Sequence, residues 1–182
     1  MKLFIIIFMI TLLVSILPGA AKAEPGIEII GEFDTRPGNP AVTPDGDIYF
    51  TMHPFDDPVF KVMKLQDGVG EVYPNPEISK SFSATIGIQA DEDGVLWILD
   101  MGSENKSPRL FGWDTDDNEI HRIFYMPEDV LTENSFLQDF AIDEDEGVAF
   151  IADMGRADIT GDSQPAIIVV NLQTGQSRRV LP

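Results

Sequence analysis

The sequence predicts an all-β protein, a β-propeller with about three four-stranded blades of an expected six-bladed ring. Three observations predict it: a repeat of about fifty residues, acidic turns that end in glycine, and strands that are apolar at consecutive positions. Gly46, Gly94 and Gly147 close equivalent turns, so the repeat spacing is 48 residues (46 to 94) and then 53 (94 to 147). Such periods are typical of propeller blades. The predicted blades span about 36–76, 84–127 and 136–182.

Each unit has the pattern of a four-stranded antiparallel meander. A short apolar strand precedes the acidic turn, and a strongly apolar second strand follows it, as in 95–99. Third strands with their turns follow at 60–68, 109–118 and 166–175, and fourth strands at 70–73, 119–126 and 176–181. The Asp-Gly, Asp-Asn and Thr-Gly turns tolerate the positive φ that tight hairpins need. Because the second strands do not alternate with polar residues, we expect burial on both faces between stacked blades.

Three blades are too few to close a ring, since propellers typically contain about four to eight. We expect either a fragment of a longer propeller or a second copy that completes six blades. The position of Pro182 directly after the third unit, without a capping element, favours the fragment. The segment 26–33 is predicted to be the strand that closes the last blade of the ring, one of the missing blades.

The N-terminal residues have the pattern of a secretory signal peptide. Lys2 is followed by the apolar run 3–17 and by Ala21-Lys22-Ala23, which predicts a signal peptide over 1–23 and cleavage before Glu24. A permanent membrane anchor is the alternative, but the run is shorter than the ~20 residues of a spanning helix. We expect a secreted, extracellular protein, periplasmic in a Gram-negative source, with no stable membrane anchor after cleavage.

Charge and cysteine content exclude several function classes. The formal net charge is −19 and becomes −21 when Lys2 and Lys22 leave with the signal peptide. Such an acidic surface repels nucleic acid, so we exclude nucleic-acid binding. The chain has no cysteine, which excludes disulfides, thiol catalysis and cysteine metal sites. Stability must then come from burial or ion binding, and a bacterial exported protein is favoured.

Several segments in succession resemble the Yellow/major royal jelly protein family. They are GIQADEDGVLWILDMG at 87–102, LFGWD at 110–114, LQDFAID at 137–143 and IVVNLQTGQSRRV at 168–180, with 38–50 and 64–75 fitting the same pattern. The resemblance implies a secreted six-bladed propeller, of a bacterial-type member, of which this sequence is the N-terminal half. Members bind small ligands, convert dopachrome, or have nutritive or signalling roles, so the family does not fix the activity. Arg178 stands where the family usually places an aromatic residue, and no binding residue is carried over.

Three residues are the candidate ligand-binding groups. Asp100 and Asp153 end equivalent second strands before Met-Gly, and His53 follows the equivalent position of the first unit. In a propeller these positions share the loop-rich face around the channel, where carboxylates could bind a cation, an amine or a divalent metal. The structural alternative, which we favour, is that each Asp accepts N–H bonds from its own turn, because the position repeats between blades. His53 is also a candidate general base.

The other polar and aromatic features have structural interpretations. The turns 91–94 and 143–147 resemble half a calcium loop but lack its distal bidentate Glu, so they are predicted to be solvated hairpins. His121 is expected on an exposed outer strand, Trp97 in the core and Trp113 in blade packing. Asn105-Lys106-Ser107 is a glycosylation sequon, relevant only in a eukaryotic host.

The sequence leaves three functions open. The primary hypothesis is a secreted Yellow-like propeller that binds a small cationic or aromatic ligand on its loop-rich face. The second is an enzyme, either a dopachrome-type isomerase or a metal-dependent lactone hydrolase, whose divalent cation would need a cage of Glu, Asn and Asp. The third is an interaction protein without catalysis, whose apolar blade faces pair with the missing blades or a second copy.

Overall fold

The computed structural model describes residues 26–156 and 163–180; the predicted signal peptide lies outside them. The described chain folds into three four-stranded antiparallel sheets, each with its strands in sequential order. The first sheet contains β1 (Pro37–Val42), β2 (Ile48–Met52), β3 (Val62–Gln66) and β4 (Val69–Val72). The second contains β5 (Thr85–Ala90), β6 (Val95–Asp100), β7 (Arg109–Asp114) and β8 (Glu119–Tyr125). The third contains β9 (Leu137–Asp143), β10 (Val148–Asp153), β11 (Ala166–Asn171) and β12 (Ser177–Val180). The all-β prediction of four-stranded blades is confirmed.

Helical structure in the described residues is confined to the connections. Helix α1 (Pro76–Ser81) joins the first blade to the second, and 3-10 turns lie at Pro54–Asp56 and Glu128–Val130. Asn75 caps α1, because its side-chain oxygen accepts the N–H groups of residues 77 and 78. Ser79 is fully buried and bonds to the backbone of Val62 in β3, which fixes the helix against the first blade. No helix in the described residues is long and apolar enough to cross a membrane.

The acidic turns form the hairpins that their sequences predict. Gly46, Gly94 and Gly147 have φ values of 89°, 79° and 63°, which the hairpins require and side chains rarely adopt. Asp91 Oδ1 accepts the N–H of residues 93 and 95 at 3.1 and 2.8 Å, and its Oδ2 accepts the Trp97 indole N–H at 2.7 Å. These carboxylate oxygens are therefore used within the turn, as the hairpin interpretation requires.

The blades pack side by side around their first strands. Strand β5 contacts both β1 and β9, so the three first strands lie next to each other at the inner edge. Every residue of β6 is buried. Leu96 and Ile98 face the core shared with the first blade, and Trp97 faces the core shared with the third. The two-sided burial predicted for the second strands is present where a blade has two neighbours. Trp113, 5% exposed, packs between the first two blades.

The third blade has an open face. Phe150 occupies the β10 position that Tyr49 has in β2 and Trp97 in β6, because each is the third residue after the glycine that closes its turn. Tyr49 and Trp97 are each 2% exposed, whereas Phe150 is 40% exposed. No described blade follows the third, so the same strand pattern leaves an aromatic side chain in solvent there.

The outer face of the first blade is partly covered by the chain itself. The Phe33 ring lies 4.7 Å from the Phe50 ring, and Phe50 is only 5% exposed. Residues 26–33, for which we predict a closing strand, form no strand in this structure. A closing strand needs the edge of the last blade to pair with, and none of the three described sheets takes it. The segment packs on the first blade in this structure, and its role as a closing strand stays a prediction.

Candidate functional site

One face of the blades carries the connections that follow the second strands and precede the first strands. We call this the loop face; its described connections are 53–61, 73–84, 101–108, 126–136, 154–156 and 163–165. The three candidate ligand-binding residues of the sequence lie on it. Each belongs to a different blade, and no hydrogen bond or ion pair among the described residues joins them.

The Asp100 carboxylate is buried and fully engaged by its own blade. It is 1% exposed. Its Oδ1 accepts the backbone N–H of Ser83, Ala84 and Gly102 at 3.0, 3.3 and 3.2 Å. Its Oδ2 accepts Arg109 Nε at 3.2 Å. These bonds tie the β6–β7 loop to the start of β5, so we expect Asp100 to hold the loop face in shape.

Asp153 has the same role in the third blade with different partners. It is 2% exposed, and its Oδ1 accepts the N–H of Phe136 and Gly155 at 2.8 and 2.9 Å. Its Oδ2 accepts Ser135 Oγ at 2.6 Å and Arg179 Nη1 at 2.5 Å. Burial by itself raises the pKa of Asp153, but the hydrogen bonds from Arg179, Ser135 and the backbone outweigh it and hold the pKa below its ordinary value.

His53 precedes the 3-10 turn of the first blade and caps it. Its Nδ1 accepts the N–H of Phe55 at 3.3 Å, and the two rings lie edge to face at 4.7 Å. Met52, 8% exposed, stands where the other blades have their buried Asp. Ligand binding by His53, Asp100 and Asp153 stays a prediction, and the geometry favours the structural interpretation of the two carboxylates. His121 is exposed, with its ring 5.7 Å from Trp97.

A polar pair that the sequence analysis missed lies at the inner edge of the loop face. Asn39 Nδ2 donates to Asp139 Oδ2 at 3.0 Å, across 100 residues of sequence. Asn39 is in β1 and Asp139 in β9, so the bond joins the first blade to the third. Asp139 is exposed, in contrast to Asp100 and Asp153.

Equivalent β-bulges position this pair. The register shifts between Pro37 and Pro40 in β1, between Thr85 and Ile88 in β5, and near the start of β9. Bulges redirect side chains and are frequent beside functional sites. Residues 39, 87 and 139 occupy equivalent positions in their blades. Each lies two residues after the one that pairs with the last residue of the second strand, which is Pro37, Thr85 or Leu137.

Glycine at the middle position allows the flanking side chains to meet. A Cβ on Gly87 would lie 3.0 Å from Asp139 Oδ1 and 3.0 Å from Phe140 Cδ1. The Asn39 and Asp139 side chains can therefore meet beside the second blade, because that blade has no side chain at this position. The signal that could have found them is the alignment of the three repeats, which places Asn, Gly and Asp at one position of an inner strand.

The described residues contain no group of three or more His, Cys, Asp and Glu side chains arranged to hold a metal ion. Asn39 and Asp139 are oxygen ligands of the type that hard cations prefer.

Comparison with known families identifies the chain. A family sequence model described as major royal jelly protein matches residues 83–181. This chain belongs to the major royal jelly protein family. The matched part contains the whole second and third blades, including Gly87 and Asp139. The resemblance predicted from the repeated segments is thus confirmed.

The fold of this major royal jelly family protein is similar to that of a solved propeller. The crystal structure of TolB from Acinetobacter baumannii superposes with a TM-score of 0.54 at 18% sequence identity, covering 85% of this chain and 35% of the TolB chain. The chain spans about a third of the length of that protein. At this identity the likeness concerns the fold alone. A comparison with curated proteins gave no match.

Proposed function

We propose that this major royal jelly family protein is an exported propeller that binds a small cationic ligand, with an aromatic group, at the Asn39–Asp139 pair of the loop face. The observation that carries the proposal is the exposed Asp139 carboxylate of the third blade, which accepts a hydrogen bond from Asn39 of the first blade. Asp100 and Asp153 support the surrounding loops, and His53 lies on the same face.

The acceptor pattern of the pair favours a cation. A carboxylate has about four lone-pair sites, and Asp139 receives one bond from Asn39 and one from the N–H of Phe140 at 2.9 Å. The Asn39 side-chain oxygen accepts no bond from a described residue. The pair therefore presents unused oxygens, and the net charge of −19 attracts positive ligands to it. The half-buried Phe140 beside Gly87 offers an aromatic contact.

Replacement of Asp139 by Asn is expected to weaken binding of a cationic probe. We choose 2-phenylethylamine as a cationic aromatic probe, propylamine as a cationic aliphatic one and phenol as a neutral aromatic one, measured by calorimetry. Asp139→Asn removes a charge-assisted hydrogen bond, so affinity for both amines should fall about tenfold. Asp45→Asn makes the same charge change in the exposed β1–β2 turn, at the opposite end of β1, and should leave the affinities unchanged. Equal loss in both variants, or no amine binding at all, would contradict the proposal.

An enzyme with a divalent cation is the second candidate, because Asn39 and Asp139 are two ligand types of such a cage. Titration with Ca²⁺ and Mg²⁺ under a thermal-shift readout separates the candidates. A rise in melting temperature that Asp139→Asn removes would favour the metal-dependent hydrolase. Amine binding without any metal response favours the binding protein.

Export makes a separate prediction about the mature chain. Intact-mass analysis of protein secreted by an expression host is expected to show a chain that begins at Glu24, because the Ala-Lys-Ala pattern directs cleavage after residue 23. A product that retains residues 1–17 and partitions with membranes would instead support a permanent anchor.

A further inference from the structure

A cleft lies on the loop face of the second blade, between α1 and the β6–β7 loop. Its volume is about 350 Å³, and its lining residues are Ser81, Asp100, Lys106, Ser107, Arg109 and Tyr125. The cleft lies beside the third and fourth strands of the blade, and none of its lining residues belongs to the Asn39–Asp139 pair. We propose that this cleft binds a small oxyanion, the carboxylate, phosphate or sulfate group of a ligand.

Arg109 is held rigidly at the base of the cleft. Its Nε bonds to Asp100 Oδ2 at 3.2 Å, and its Nη2 donates to the backbone oxygen and Oγ of Ser81 at 3.3 and 3.0 Å. The guanidinium also lies 5.2 Å from the Phe82 ring and 5.6 Å from the Phe111 ring. Nη1 is left without a bond to any described residue. A preorganised guanidinium with unused N–H groups is suited to bind an oxyanion.

Lys106 adds a positive charge at the mouth of the cleft. Its ammonium donates to the Ser81 carbonyl at 3.1 Å and pairs with no carboxylate among the described residues. An ammonium has three donors, so two remain available. The hydroxyl groups of Ser107 and Tyr125 also lack a partner in the described chain. The lining therefore presents donors from four side chains toward one space.

The carboxylate that lines the cleft is already engaged. Both oxygens of Asp100 are engaged by backbone N–H groups and by Arg109, so its charge neutralises the guanidinium and leaves that of Lys106. An excess of donors with one net positive charge fits a small anion and disfavours a cation. Glu104 lies in the same loop but does not line the cleft. The net charge of −19 opposes anions, but beyond about 8 Å it is largely screened at physiological salt.

The test measures binding of sodium phosphate, sodium sulfate and sodium acetate by calorimetry, at constant ionic strength maintained with chloride. We expect saturable binding with a dissociation constant on the order of 1 mM, since few charge-assisted bonds form at an exposed site. Lys106→Gln should weaken it about tenfold, and Ser107→Ala about threefold. Arg109 is not replaced, because it also supports the blade.

Lys80→Gln is the matched control, because it removes the same charge from α1 at a side chain that lies over the Phe60 ring. It should leave the affinities unchanged. Preference for phosphate and sulfate would assign a tetrahedral anion to the cleft, and preference for acetate a carboxylate. No saturable binding of any of the three salts, or equal weakening by Lys106→Gln and Lys80→Gln, would overturn the proposal. Near-ultraviolet circular dichroism verifies that both variants are folded.

Discussion

Replacement of Phe150 by Lys is expected to abolish self-association of the chain 24–182. Phe150 is 40% exposed on the open face of the third blade, at the position where Trp97 is 2% exposed between two blades. Burying apolar surface contributes about 25 cal/mol per Å², so a few hundred Å² of uncovered blade face correspond to several kcal/mol. That face is proposed to pair with further blades of a longer chain or with a second copy. We expect the unsubstituted protein to dimerise or aggregate in sedimentation velocity and the variant to sediment as a monomer.

The control is Ile120→Lys, because Ile120 is 46% exposed on the outer strand β8 of the second blade and not on the open face of the third. It adds the same charge but should leave self-association unchanged. A compact, unsubstituted monomer with sharp near-ultraviolet aromatic signals and a cooperative melt would show that three blades suffice. Equal effects of the two variants would show that net charge, rather than the blade face, governs association.

Removal of the Asp153 side chain is expected to lower the free energy of unfolding by about 3–5 kcal/mol, the usual effect of leaving a buried charge without its partner. Asp153→Ala leaves Arg179, whose side chain is 18% exposed, without a carboxylate. It also leaves the N–H groups of Phe136 and Gly155 without their acceptor. Urea denaturation at pH 7 measures the loss. The exposed pair Arg36–Asp56 is the control, and Asp56→Ala should cost less than about 1 kcal/mol.

The pH dependence of stability should identify the same group. Because the pKa of Asp153 is lowered from 3.8 in the folded protein, its contribution is complete above about pH 4 and is lost as pH falls through the folded-state pKa. Between pH 5 and 2 the unsubstituted protein should therefore lose more stability than Asp153→Ala does. Parallel pH profiles for the two proteins, or a loss at pH 7 no larger than that of Asp56→Ala, would contradict the role given to this carboxylate.

The sequence predicted Asp100 and Asp153 on one face but could not supply their charged partners. Both are at the end of a second strand, so the repeat alone places them at equivalent positions. Their arginine partners are not equivalent. Arg109 begins the third strand of the second blade, whereas Arg179 lies in the fourth strand of the third blade. Alignment of the repeats finds only residue types that recur at the same position. The arginine that pairs with the buried Asp comes from a different strand in each blade, so the alignment does not find it.

Local sequence specifies the blades, because apolar strands and glycine-closed acidic turns act locally and fix the hairpins and their order. It did not determine which side chains meet between blades. Asn39 and Asp139 are separated by 100 residues and join only because bulges redirect their strands and Gly87 leaves space between them. The cover over Phe50 and the exposure of Phe150 have the same origin, since similarly apolar second strands are buried or exposed according to the neighbour that packs on them. Those neighbours are set by long-range packing, and no local periodicity encodes them.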